Sequence, residues 1–247
     1  MLTKADIKFV KSLNEKSNRY ANKLFVAEGN KSVIDLLRSK INVTRLYTNE
    51  NWLNLFANLV GKNTEITLVS QIEMTHLSNL QSSREVIALC KIPELLPDVN
   101  LFKGMTIVLD TLQDPGNLGT IIRVADWYGI KNILCSKQTA DCYNPKVVQA
   151  TMGSICRVNL YYVDLPEWLP KMKQPILAAG LEGISAHKYT FPKDVILVIG
   201  NEGSGISDGL KTFIHQTISI PKVGSAESLN AAIAASIMMD RYTGIYE

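Results

Sequence analysis

No apolar run in this 247-residue chain reaches the roughly twenty residues that a membrane-spanning helix requires. The opening stretch, MLTKADIKFVKSLNEK, alternates charge with single apolar residues. It lacks the continuous apolar segment of a secretory signal, so a cytoplasmic protein without a membrane partner is expected. Cysteine is scarce. Cys90, Cys135, Cys142 and Cys156 form no C-x-x-C pair, and His76, His187 and His215 do not stand beside them at ligand spacing. The expectation is therefore no disulfide framework and no metal site. Cys90 and Cys135 lie in the apolar runs EVIALC and NILC and read as buried thiols. No Ser/His/Asp set, no clustered histidine and no acidic pair at glycosidase-like positions is present, which leaves hydrolase chemistry without residues to stand on.

What is present divides unevenly. Residues 1–40 carry nine Lys+Arg against four Asp+Glu, whereas the rest carries 17 against 19. A basic end on a near-neutral body suits a polyanion, although a solvated helix face has the same composition. Up to residue 92, strand-like runs alternate with helical ones: a helix over 5–16, strand 23–29, helix 30–40, strand 43–49, helix 51–60, strand 64–70, a helical QIEMTHLSNL, and strand 84–92. The segment PELLPDVNLFKG (93–104) is the best boundary, giving a domain of 1–98 and another of 99–247. From residue 105 the strands are stronger: 105–110, 131–136, 175–180, 195–200 and 217–221. Helical segments TIIRVADWYG, PEWLPKMK, DGLKTFIHQ and SLNAAIAASIMMDRY separate or follow them. Continuous apolar strands bracketed by helices indicate an α/β fold with a parallel sheet covered on both faces.

In such sheets ligands bind beyond the carboxyl ends of the strands, and three of those ends carry unusual loops. After MTIVLD comes TLQDPGNLGTIIR (111–123), where Pro115, Gly116 and Gly119 read as a turn ahead of a helix. Asn117 can donate and accept there, and Arg123 is expected about one turn into that helix. After VILVIG comes NEGSGIS (201–207), in which Gly200, Gly203 and Gly205 permit close backbone approach to a ligand and Glu202 stands at the mouth. This loop lacks the Gly-Lys-Ser/Thr of a P-loop, and its glycine spacing departs from the dinucleotide fingerprint. After TISIP comes KVGSAESLNAAIAAS (222–236), with Ser228 expected to cap a helix from Leu229 and Asn230 in its first turn. A site of turns, amides, one arginine and one glutamate suits positioning chemistry with a reactive cofactor.

The segments QDPGNLGTIIRVADWYGI, VIGNEGSGIS and IPKVGSAESLNAAIAAS, in that order, resemble the three motifs of the SpoU (TrmH-like) RNA ribose methyltransferases of the SPOUT superfamily. The resemblance covers about residues 105–247. Residues 1–98 are similar to the family's N-terminal RNA-binding extension, on element order and the VAEG segment. The resemblance implies a trefoil knot in the second domain, an exception to the rule against threaded chains. It implies a homodimer, an RNA substrate (rRNA or tRNA) and S-adenosylmethionine as methyl donor. The cofactor would be held around Ala179, Gly180, Gly200, Asn201, Gly203, Ile220, Leu229 and Asn230. Asn117, Arg123, Glu202, Ser228 and Asn230 are the implied catalytic set, with Ser228 and Asn230 orienting Arg123 or the ribose.

Family descriptions often cast this arginine as a general base. A guanidinium holds its proton throughout the physiological range, so a phosphate clamp that also stabilises developing alkoxide is the better physical role. Lys222, Ala231 and Ala232 depart from the family pattern but remove no motif residue. Two other readings compete: a nucleotide-dependent oxidoreductase, which needs a glycine turn that PGNLG does not supply, and a non-catalytic RNA-binding protein on the same fold.

Overall fold

The computed structural model describes residues 2–80 and 85–245. Contacts divide the chain into two compact units, Met1–Glu94 with Asp141–Arg157, and Leu95–Ala140 with Val158–Glu247. In the first stretch α1 (Lys4–Ser12) and α2 (Lys16–Asn22) lead into β1 (Leu24–Glu28), α3 (Asn30–Leu37), β2 (Val43–Thr48), α4 (Glu50–Phe56), β3 (Glu65–Leu68), α5 (Gln71–Leu77) and β4 (Val86–Lys91). Then follow β5 (Met105–Leu109), α6 (Pro115–Trp127), β6 (Asn132–Ser136) and α7 (Pro145–Ala150). The chain continues with β7 (Asn159–Val163), α8 (Leu165–Trp168), β8 (Ile176–Gly180), β9 (Ile184–Ser185), β10 (Val195–Ile199), α9 (Asp208–Lys211), β11 (Gln216–Ser219) and α10 (Ala231–Thr243).

The first unit is a four-stranded sheet in the order β1-β4-β2-β3, with β2 and β3 parallel and the other pairs antiparallel. Its strands start and stop close to the expected limits, except that Arg84 lies outside the described residues. The single helix expected over 5–16 stops at Ser12, and the chain then turns into α2. A capping box between Thr3 and Asp6 starts α1. The helix expected over 51–60 ends at Phe56 and tightens into a 3₁₀ turn over Ala57–Leu59. Val10, Leu13, Val26, Tyr47, Met74 and Ile87 meet in the core. Burying each such aliphatic side chain contributes about 1.5–3 kcal/mol.

One of the nine N-terminal basic residues does not face solvent at all. Arg19 is 1% exposed; its Nε and Nη2 both donate to Asp141 Oδ2, and its Nη1 donates to the carbonyls of Leu13 and Asn14. Tyr20 donates its hydroxyl to the other Asp141 oxygen, and burial followed by the Asp141 charge pushes that phenol well above its ordinary range. The ring of Tyr143 lies against Phe25 in the same region. These contacts bind the segment Asp141–Arg157, which the sequence division assigns to 99–247, into the first unit. Cys90, Cys135 and Cys142 are buried, as the apolar runs around the first two suggest, and burial pushes the Cys90 thiol up.

The second unit holds a seven-stranded sheet in the order β7-β6-β5-β10-β8-β11-β9, and every pairing in it is parallel. All five residues of β5, β6 and β10 are buried, as a sheet covered on both faces demands. Two strands were not anticipated: β7, whose NLYYV mixes tyrosine with apolar residues, and the two-residue edge β9. Two helices are shorter than expected. DGLKTFIHQ is helical only over Asp208–Lys211, and PEWLPKMK is α8 followed by a 3₁₀ turn, because Pro170 cannot donate to the ladder. Ile199 stands opposite Leu109, and Ser219 opposite Gly180. This register brings the carboxyl ends of β5, β8, β10 and β11 to one edge of the sheet.

Candidate active site

The loop after β5 is shorter than its sequence suggests, because the helix begins early. Asp114 accepts from Asn117 N–H as N-cap, and Pro115 takes the first helical position, where a missing N–H costs nothing. Pro115, Gly116 and Gly119 are therefore inside α6, not in a turn before it. Arg123 consequently sits in the third turn of the helix instead of the first, on its exposed side. Asn117 faces inward and is buried.

The loop after β10 closes on itself. Asn201 and Gly205 exchange backbone hydrogen bonds. Asn201 Oδ1 accepts from the N–H of Gly203 and of Ser204, an asparagine-built turn. Gly205 has φ 70, and a Cβ on Gly200 would lie 2.3 Å from the Gly205 carbonyl carbon. The sequence reading has these glycines making room for a ligand. At Gly200 the close neighbour is instead the loop's own backbone.

The loop after β11 ends at Asn230, not Ser228. Asn230 Oδ1 accepts from Ala232 and Ile233 N–H as the N-cap, so α10 begins at Ala231. Ser228 lies ahead of the helix in an exposed stretch and caps nothing. Asn230 outcompetes it because its oxygen reaches two of the orphan amides of the first turn.

Residues of the three loops meet in one hydrogen-bonded line. Asn230 Nδ2 donates to Asn117 Oδ1 at 2.8 Å, and Asn117 Nδ2 donates to Glu202 Oε1 at 2.8 Å. Both side-chain amides are thereby fixed in orientation: each oxygen faces a donor and each nitrogen an acceptor. Arg123 and Ser228 are outside this line; among the described residues neither has a polar partner within it. The guanidinium of Arg123 pairs with no described carboxylate. Of the residues expected around a cofactor, Ala179, Gly180, Gly200, Asn201 and Ile220 are partly exposed at the strand ends, and Gly203, Leu229 and Asn230 are exposed. Residues 221–230 are all exposed, and among the described residues the backbone N–H groups of 222–229 have no acceptor. These free amides are donors open to a ligand's acceptors, and the half-exposed Leu229 side chain offers an apolar surface beside them. Sequence reasoning missed Asp110, Thr111 and Asp114, although an Asp-Pro pair ahead of an apolar helix is a readable start signal.

Asn230 has two separable duties, and one substitution divides them. Asn230→Asp keeps the capping oxygen and sets a charge favourably at the start of α10, but removes the donor to Asn117 and brings a carboxylate towards that oxygen. The thermal midpoint is expected to stay within a few degrees of the parent while the methyl transfer that the motif resemblance implies falls at least about tenfold, about 1.4 kcal/mol. An equal loss of both would assign Asn230 to capping alone.

A parallel α/β sheet with polar loops gathered at its carboxyl edge defines a ligand-binding domain of the kind that hosts cofactors at that edge. Residues 104–240, over half the chain, match the model of the SpoU rRNA Methylase family, and residues 4–88 match an MRM3-like substrate binding domain. The chain belongs to the SpoU rRNA methylase family. It is 26% identical over 242 residues, 96% of each chain, to the 23S rRNA (guanosine(2553)-2′-O)-methyltransferase RlmP of Bacillus subtilis. Among solved structures, a TrmH-family protein of Porphyromonas gingivalis superposes with TM-score 0.89 at 32% identity over 98% of both chains. The S-adenosylmethionine-bound rRNA methyltransferase of Sinorhizobium meliloti superposes with TM-score 0.88 at 27% identity, over 98% of this chain and 95% of that one.

Proposed function

We propose that this protein transfers a methyl group from S-adenosylmethionine to a ribose 2′-hydroxyl of RNA, with ribosomal RNA favoured over tRNA. The observation that carries the reading is the Asn230–Asn117–Glu202 line, which draws residues of all three motif segments together at the carboxyl edge of a SpoU-family sheet. Two relatives support the substrate class: the Bacillus subtilis protein and a Streptomyces viridochromogenes protein, 32% identical over 63% of this chain and 58% of that one, are both named as 23S rRNA 2′-O-methyltransferases.

The division of labour follows from placement. The loops at 179–180, 200–203 and 220–230 hold the cofactor through backbone groups, with Leu229 against its apolar part. When bound, S-adenosylmethionine supplies a sulfonium-activated methyl and leaves as S-adenosylhomocysteine. Arg123, exposed and without a carboxylate partner among the described residues, clamps the RNA phosphate beside the target ribose and stabilises the alkoxide that develops at the 2′-oxygen. The 2′-hydroxyl proton passes to water as the new O–C bond forms. Glu202, held by Asn117, shapes the site, and Ser228 borders it. Residues 1–98 present the RNA and residues 99–247 perform the transfer.

The protein works as a cytoplasmic homodimer with a trefoil knot in the second domain. Support for the dimer is the apolar surface of α6 and α10, where Trp127 is 82% and Ile233 51% exposed. Support for the knot is the strand order, in which the chain runs from β8 to the edge strand β9, crosses to β10 on the other side of β8, and returns to β11 between β8 and β9. No described helix is long and apolar enough to cross a membrane.

The test is transfer of labelled methyl from S-adenosylmethionine to total RNA from a strain lacking the gene. Label in one RNA species supports the reading. Cofactor bound but no label even on ribosomal particles, or no cofactor bound at all, overturns it in favour of a non-catalytic RNA-binding protein.

A further inference from the structure

At the carboxyl end of β5 stands a buried carboxylate that the chemistry above does not use. Asp110 is 3% exposed; its Oδ2 accepts from Ser207 N–H at 2.7 Å, and its own N–H donates to Ile199 O at 2.9 Å. Both partners flank the loop that carries Glu202. The next residue, Thr111, has φ 56. A β-branched side chain is a rare occupant of the left-handed region, and such strain persists only where the surroundings over-determine it.

They do so here. Thr111 N–H donates to Ser136 Oγ at 3.0 Å, its Oγ1 donates to Asp110 O at 2.7 Å, and its carbonyl accepts from Asn201 Nδ2 at 2.8 Å. Thr139 Oγ1 spends its single hydrogen on Leu109 O, so the 3.1 Å contact between Ser136 and Thr139 must run from the serine hydroxyl to the threonine oxygen. Amide, two hydroxyls and the Leu109 carbonyl thus form a one-directional chain of hydrogen bonds that ties Thr111 back to the end of β5. The outward result is a two-point grip. Thr111 O holds Asn201 at the start of the loop, and Asp110 Oδ2 holds Ser207 at its end.

We propose that Asp110 and Thr111 are positioning residues for the methyl donor: a strained corner at β5 that fixes both ends of the 201–207 loop and so sets its cofactor-binding backbone. This rests on the methyltransferase reading. Neither residue is assigned contact with the cofactor; they act through Asn201 and Ser207.

The experiment is calorimetric titration of S-adenosylmethionine and S-adenosylhomocysteine into the full chain and its Thr111→Gly, Asp110→Ala and Asp110→Asn variants. Thermal midpoints are taken without ligand. Glycine adopts φ near +56 freely, so Thr111→Gly should melt no lower than the parent. Glycine keeps the N–H to Ser136 and the carbonyl to Asn201 but loses the Oγ1 bond to Asp110 O and the side chain that restricts the corner, so Thr111→Gly should nevertheless bind both ligands about tenfold or more weakly. In turnover, KM for S-adenosylmethionine rises while kcat at saturation changes by less than about threefold. Asp110→Ala loses affinity similarly, and Asp110→Asn, which keeps an oxygen acceptor, recovers it. Should Asp110→Ala fail to fold, Thr111→Gly decides. Parental affinity in a folded Thr111→Gly overturns the proposal, whereas absence of binding by the parent overturns the methyltransferase reading itself.

Discussion

Arg123→Ala should lower the rate of methyl transfer by about 10²–10³-fold, the range found when one donor to a developing oxyanion is removed. It should leave S-adenosylmethionine affinity and thermal stability unchanged. The second half of this expectation follows from placement. Arg123 lies on the exposed side of α6, makes no ion pair with any described residue, and stands apart from the Asn230–Asn117–Glu202 line. Among the described residues no hydrogen bond or ion pair depends on its side chain, so its loss should be felt only where RNA is bound and reacting. Arg123→Lys separates charge from geometry. A lysine keeps one positive charge but cannot grip a phosphate with two parallel N–H groups, so its activity should fall well below the parent. Near-parental turnover by the lysine variant would remove the clamp from the mechanism.

The second large effect is on stability and lies far from the chemistry in sequence. Arg19→Met should destabilise the chain by about 3–5 kcal/mol, because it strands the Asp141 charge in a buried position. Against a total of about 5–15 kcal/mol for a typical domain this is severe. Tyr20 and the Tyr143 N–H still donate to Asp141, but neither supplies charge. The double replacement Arg19→Met with Asp141→Leu should recover most of the loss, since no charge is then left unpaired. Urea unfolding of the two singles and the double closes the cycle. A single-variant loss below about 1 kcal/mol would mean that this buried pair is hydrated in solution.

The strands of the second unit were readable because a sheet covered on both faces demands continuous Val, Ile and Leu, and VILVIG or MTIVLD admit little else. β7 was not readable, as its two tyrosines and leading asparagine break that pattern. Helix starts were misplaced where two capping signals compete. Ser228 and Asn230 both precede the Ala-rich run, and only the fold shows which oxygen reaches the free amides. The same is true of Asp114 with Pro115 against the Gly-rich stretch that follows.

The three site loops were visible from their residues. The line joining them was not, for Asn117, Glu202 and Asn230 are brought within hydrogen-bonding distance only by strand order. Thr111 is the extreme case. A threonine argues for extended backbone, and the left-handed φ is imposed by Ser136 and Asn201, remote in sequence. The excursion of residues 141–157 into the first unit is likewise set by a buried arginine that composition counts as surface charge.

The most direct measurement of the central claim is the chemical position of the transferred methyl. Total RNA from a strain lacking the gene, methylated in vitro with isotopically labelled S-adenosylmethionine, is digested to nucleosides and separated by mass. The account predicts label in a single 2′-O-methylnucleoside, with the mass of the methyl on the ribose fragment, and labelling about 10²–10³-fold slower with Arg123→Ala. Label on a base fragment, or label that survives in the Arg123→Ala reaction at parental level, would contradict it.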